Sequence, residues 1–151
     1  MATKGISFDP VTDIPSLEGK VILITGANSG LGKQSSLELA KHKPTHVWMA
    51  ARSPEKGKEA VDDVKRHVPD VAITFLELDL SSFDSIKSAA KTVIASSPRL
   101  DILMLNAGRK WLDIFLSVTS DKCYLLSYFS EFGLGSSLPQ ALIFYDMLLT
   151  C

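Results

Sequence analysis

Cysteine is scarce in this sequence. Only Cys123 and Cys151 occur among 151 residues, with neither Cys-x-x-Cys nor metal-ligand spacing, so no thiolate metal centre and no dithiol redox site is expected. As the last residue, Cys151 forms no prenylation box. Excess charge is also missing: 16 Lys plus Arg stand against 17 Asp plus Glu, a formal net charge of -1. Without a basic field the chain is not expected to bind nucleic acid or an anionic lipid surface, which leaves a small molecule as the expected partner. Long apolar runs are absent as well. No stretch of roughly eighteen consecutive apolar residues occurs, and residues 1–10 contain Asp9 and no run of signal-peptide length, so no membrane span is expected and the location is read as cytoplasmic. Of the three histidines, His42, His46 and His67, none shares a motif with an acid or a thiol. Surface or helix-end roles are expected for them, and no metal site.

What is present is a globular composition, 46% hydrophobic and 22% charged, at a length of about one domain. Up to Gly108 short β-branched runs alternate with helical patterns, the signature of βαβ units on a parallel sheet. Strands are expected at 20–25 (KVILIT), 45–50 (THVWMA), 71–78 (VAITFLEL) and 100–105 (LDILML). Helices are expected at 30–42 and at 54–68, the latter with Pro54 near its start. A third is expected at 83–95, capped by Ser81 or Ser82, with Phe83, Ile86, Ala89, Ala90 and Val93 at helical spacing. The fold class is therefore α/β with a parallel sheet; with the glycine loop and the resemblance described below, the reading is the N-terminal half of a Rossmann-type doubly wound parallel sheet, strand order 3-2-1-4.

From Arg109 the rhythm stops. Residues 109–151 hold all three tyrosines, both cysteines and four of the seven phenylalanines, but only seven charged residues. Trp111, Ile114, Phe115 and Val118 share one helical face, as do Leu125, Tyr128, Phe129 and Phe132, and Ser137 with Gln140 resembles a capping box. The division is thus 1–108 as a nucleotide-binding domain and 109–151 as an irregular or helical tail, a composition break read as a splice or gene-model artefact.

The strongest local signal is Thr25-Gly26-Ala27-Asn28-Ser29-Gly30-Leu31-Gly32, set between a buried strand and a helix. Gly26 permits a tight turn, Gly30 lets the backbone approach a pyrophosphate, and Gly32 lets the helix pack closely on the strand. The helix N-terminus, with unpaired N–H groups and the positive end of its dipole, then favours a dianion. Gly32-Lys33 is also how a P-loop would end. That alternative fails, because Ala27 occupies the required glycine position and Gln34 follows the lysine in place of Ser or Thr.

TGANSGLG after KVILIT, followed by AARS, LELDLSS and LDILMLNAG, resembles the short-chain dehydrogenases/reductases over about residues 17–108, and most closely the branch of retinol-dehydrogenase-like enzymes. The resemblance implies cofactor contacts at Gly26, Asn28, Ser29, Gly30, Leu31, Gly32 and Lys33. At the end of the second strand an acid would bind the adenosine ribose of NAD. Here Ala50-Ala51-Arg52-Ser53 offers instead a guanidinium for a 2′-phosphate, with Ser53 and Lys33 nearby, so the expected cofactor is NADP. Asp79 resembles the family aspartate that accepts a hydrogen bond from the adenine amino group, with Leu80 beside the ring; the alternative role for Asp79 is helix capping. Asn106-Ala107-Gly108 matches the family's NAG motif, where Gly108 would let the backbone near the ribose and Asn106 would tie strands together.

The family's proton donor is a tyrosine whose pKa is lowered by a lysine four residues later, aided by a serine and an asparagine. Here the residue four after Tyr124 is Tyr128, after Tyr128 it is Phe132, and after Tyr145 it is Leu149. No Tyr-x-x-x-Lys exists, Lys110 and Lys122 precede every tyrosine, and no catalytic residue is assigned. The resemblance therefore implies an oxidoreductase using NADP(H) on a carbonyl or alcohol of a small lipophilic molecule, in a chain that stops before the catalytic half. By itself this chain is expected to be inactive, with a small-molecule substrate only in a longer form. The second reading is a noncatalytic fragment that binds NADP or associates with another protein.

Overall fold

Five consecutive apolar or β-branched residues, Val21–Thr25, are all buried. A strand with no exposed alternate position must be covered on both faces, as in a parallel sheet. In the computed structural model, which describes residues 8–108, this strand (β1) lies inside a four-stranded parallel sheet. The order along the chain is β1, α1 (Gly30–Ala40), β2 (His46–Ala51), α2 (Pro54–His67), β3 (Ile73–Glu77), α3 (Phe83–Ser96) and β4 (Ile102–Met104). In space the strands run β3-β2-β1-β4, the expected order. Registers are continuous: Leu23 lies opposite Trp48 on β2 and opposite Leu103 on β4.

Side chains alternate between two cores, as strand pleating requires. Val21, Leu23, Trp48, Leu76 and Leu103 pack with Ile86, Ala89, Ala90 and Val93 of α3. Ile22, Ile24, Val47 and Met49 pack on the opposite face with Ala40 of α1 and Ala60, Val61 and Val64 of α2. The helices begin where capping chemistry places them. Ser53 and Ser82 are the N-caps of α2 and α3 and accept hydrogen bonds from Lys56 N–H and Ser85 N–H. Of the two expected serines, Ser82 is therefore the cap.

β1, α1, α2, β3 and β4 fall inside their expected ranges, while β2 and α3 run one residue past theirs, to Ala51 and Ser96. α1 ends at Ala40 because its last turn tightens through Lys41 N–H to Glu38 O and His42 N–H to Leu39 O, and Lys43 then adopts a left-handed φ of 56° immediately before Pro44. β4 pairs only over Ile102–Met104, although Leu100 and Leu105 on either side are buried. The tail at 109–151, with its expected helical faces, lies outside the described residues.

At the base of the sheet stands a carboxylate that the sequence reading did not single out. Asp101 is 2% exposed. Its Oδ2 accepts from Val21 N–H at 2.9 Å, its Oδ1 meets Lys20 Nζ at 3.4 Å and the guanidinium of Arg99, and its backbone N–H donates to Val21 O at 2.9 Å. Burial pushes the carboxyl up, but the Val21 N–H, Arg99 and Lys20 together outweigh it and hold it below the ordinary value of 3.8. A depressed carboxyl contributes stability that is fully present above its unfolded value and is lost as pH falls through the folded one. Asp101→Asn is expected to cost about 1–3 kcal/mol at neutral pH. Urea titrations from pH 7 down to pH 2 should show the wild type losing part of its stability below about pH 4, with a shallower loss in the variant. Parallel curves would refute the assignment.

Candidate cofactor-binding site

Because all four strands run the same way, the segments that follow them gather at one edge of the sheet. There the glycine loop leaves β1, Arg52 leaves β2, Asp79 follows β3 and Asn106 follows β4. Open α/β sheets bind ligands at this carboxyl edge.

The loop is folded around its glycines. Gly26 has φ +67°, and a Cβ there would lie 2.8 Å from Ala107 Cα. A Cβ on Gly32 would overlap Asn106 Nδ2 and stand 2.5 Å from Gly26 O, so α1 can approach the loop this closely only with glycine at its third position. Gly30, at φ +56°, has open space around it. Ala27 N–H donates to Ala50 O at 3.2 Å and ties the loop to the end of β2.

A clasp joins β1 to the segment after β4. Asn106 Nδ2 donates to Thr25 O at 3.1 Å and to Gly26 O at 3.3 Å, while Thr25 Oγ1 accepts from Ala107 N–H at 3.0 Å and donates to Met104 O at 3.4 Å. Asn106 thus makes the strand-tying bonds expected of it. Thr25 was quoted in the motif without a role. A hydroxyl in an otherwise apolar buried strand was the available signal.

The N-terminus of α1 differs from the other two. Ser29 is extended and makes no side-chain capping bond, and the first turn holds no acid. α2 and α3 each have a serine cap and an acid, Glu55 or Asp84. The donors behind the glycine loop thus have no capping side chain, and open helix donors of this kind suit a dianion in geometry and charge.

Arg52 is exposed and has no carboxylate partner among the described residues. Lys33 lines a groove of about 500 Å³ together with Asn28 and Ser29, but its Nζ lies 2.5 Å from Asp63 Oδ2 on α2, and Arg66 holds the other oxygen of Asp63 at 2.9 Å. The Lys33 bond, chiefly, holds the Asp63 carboxyl below its ordinary value. Nothing in the sequence pattern pairs Lys33 with Asp63, because the contact arises from the packing of α1 on α2. Asp79 Oδ1 accepts from Ser81 N–H at 3.0 Å and from Ser81 Oγ at 2.6 Å, which orients the carboxylate beside the sheet edge, and the capping of α3 falls to Ser82. Leu80 is half-buried against the α3-side core. Leu31 is 62% exposed at the loop, and Gly108 is exposed at the end of the described residues.

Gly32→Ala is expected to cost about 1–3 kcal/mol by overpacking. Asn106→Ala removes one of the two groups the new methyl would strike, so the double variant should be less destabilised than the sum of the singles, by about 0.5–3 kcal/mol in a denaturant-based cycle. Simple additivity would contradict the contact.

Comparison with known proteins bears on this arrangement. The profile of the family described as "short chain dehydrogenase" matches residues 20–129, past Gly108. Dehydrogenase/reductase SDR family member 13 of Bos taurus is 35% identical over 145 residues, covering 91% of this chain and 38% of that protein. The Homo sapiens protein of the same name is 40% identical over 103 residues, covering 68% and 27%. The chain thus spans less than two fifths of the length of these curated relatives. Among solved structures, a short-chain type dehydrogenase/reductase from Mycobacterium ulcerans superposes with a TM-score of 0.57 at 27% identity, over 62% of this chain and 34% of that one. A short chain dehydrogenase from Escherichia coli solved with NADPH superposes at 0.56 and 26% identity, over 62% and 39%. The profile covers well over half the chain, on a sheet with the expected strand order and with loops gathered at its carboxyl edge, and the protein accordingly belongs to the short-chain dehydrogenase/reductase family.

Proposed function

We propose that this chain binds NADP(H) as the cofactor-holding part of an oxidoreductase acting on a carbonyl or alcohol of a small lipophilic molecule. The observation that carries the reading is the uncapped, acid-free N-terminus of α1 behind the glycine loop, with Arg52 at the end of β2 where a ribose-binding acid would select NAD. The donor set fits the cofactor. Gly26, Asn28, Ser29, Gly30, Leu31 and Gly32 would cradle the pyrophosphate, and Arg52, with Lys33 adding charge from the groove, would pair with the 2′-phosphate. Asp79 and Leu80 would hold the adenine, and Asn106, Ala107 and Gly108 would flank the ribose. When bound, the nicotinamide supplies hydride chemistry. Reduction also needs a proton donor, and the 151 residues contain no Tyr-x-x-x-Lys. The second reading for these 151 residues is nucleotide binding without turnover.

Two measurements separate these readings. NADPH should raise the melting temperature of the purified chain more than NADH does at equal concentration, and Arg52→Gln should weaken NADPH binding about ten-fold while leaving NADH unaffected. Equal shifts with both nucleotides would remove the NADP assignment. Incubated with NADPH and a panel of aldehydes, ketones and quinones, the chain is expected to consume no cofactor. Steady oxidation at 340 nm would instead establish it as an active enzyme.

A further inference from the structure

The groove beside the glycine loop is lined by three cations, Lys33, Lys56 and Arg66. Its walls are Asn28, Ser29 and Lys33 on one side and, on α2, Lys56 with Glu59 and Asp63. The charges are not equally available. Lys33 is engaged by Asp63, and Asp63 is itself engaged twice, by Lys33 and by Arg66. Lys56 has no carboxylate within ion-pair distance among the described residues, although Glu59 lies one helical turn away.

The position of Lys56 is also unfavourable for the helix. It is the third residue of α2, in the first turn, where the helix dipole disfavours a cation, and its backbone N–H is held by the Ser53 cap. Pro54 and Glu55, the two residues before it, follow the rules for a helix start. A local rule broken once, on the wall of a ligand groove, is what a binding role produces. Arg52 and Lys56 lie on the short segment that carries the Ser53 cap from the end of β2 into α2, and Lys56 lines the groove that Asn28 and Ser29 close from the other side.

We infer that Lys56 is a specificity-determining residue, the second cation with Arg52 on the 2′-phosphate of the bound nucleotide, while Lys33 serves mainly to pin α1 to α2 through Asp63. This inference rests on the NADP reading. It adds a residue outside the glycine loop and outside the AARS segment, and it assigns the discrimination between the two dinucleotides to the first turn of α2 as well as to the end of β2.

The full chain is titrated calorimetrically with adenosine 2′,5′-bisphosphate and with adenosine 5′-monophosphate, two probes that differ only in the 2′-phosphate. Wild type is expected to prefer the bisphosphate. Lys56→Gln should lose about ten-fold in affinity for the bisphosphate and nothing for the monophosphate. Lys56→Arg should keep the preference. Lys58→Gln, on the same helix but lining a different groove with Phe75 and Glu77, should match wild type. Removing a cation from the first turn should leave the melting temperature of Lys56→Gln equal to or above that of wild type, so a loss of affinity cannot be ascribed to unfolding. If wild type prefers the bisphosphate and Lys56→Gln keeps that preference undiminished, the inference is overturned and the NADP reading stands. An equal loss for both probes would likewise overturn it, since Lys56 would then serve the whole nucleotide. If wild type shows no preference, the NADP reading fails and the inference falls with it.

Discussion

The structure depends on β1 being held to β4 at both ends. At the base, the carboxylate and backbone of Asp101 engage both backbone groups of Val21; at the tip, Asn106 and Ala107 engage Thr25 and Gly26. Only three residue pairs of the ladder lie between these two fastenings, Ile22–Ile102 to Ile24–Met104. So short a strand pairing gains little from its own hydrogen bonds, and the flanking polar contacts set its register. With the register set, Leu23 and Leu103 share the α3-side core and the glycine loop stands where Gly32 can meet it.

The same economy governs the helix ends. α2 and α3 each begin with a serine cap that accepts from one first-turn N–H and with an acid in the first turn. α1 leaves its first-turn donors without a side-chain cap at a start that follows Gly26 and contains Gly30 and Gly32. Of the three helix starts, that of α1 is thus the one whose local chemistry suits an anion. Family membership gives this edge of the sheet its general meaning, and the charges along α2 give it a particular one.

Much of this was legible in the sequence because it rests on local signals. A buried run such as KVILIT permits few conformations between a turn and a glycine loop, and Pro54 marks a helix start by its fixed φ, although Ser53, read as a phosphate donor, turned out to be the cap of that helix. The rhythm of strands and helices implied a parallel sheet, and the resemblance to the dinucleotide-binding family implied its order 3-2-1-4. What could not be read depends on distance between elements. Asp101 sits 80 residues from Val21, and its sequence context, an acid just before an apolar run, is shared by countless exposed acids. Lys33 looked like a free cation until the packing of α1 on α2 brought Asp63 within 2.5 Å. The early end of α1 was signalled by Pro44, which pushes the residue before it out of the helical region, but helical periodicity through His42 masked that signal.

The Asn106 clasp also bears on how the site comes into being during synthesis. Its donors and acceptors are separated by about eighty residues, so the glycine loop, made early, lacks its support until the last described strand has left the ribosome. Contacts of such long range form late and close large loops. A nascent chain that has exposed TGANSGLG and three strands holds the recognisable motif without the lattice of bonds that shapes it. The bonds that support the glycine loop are therefore complete only once Asn106 has been made.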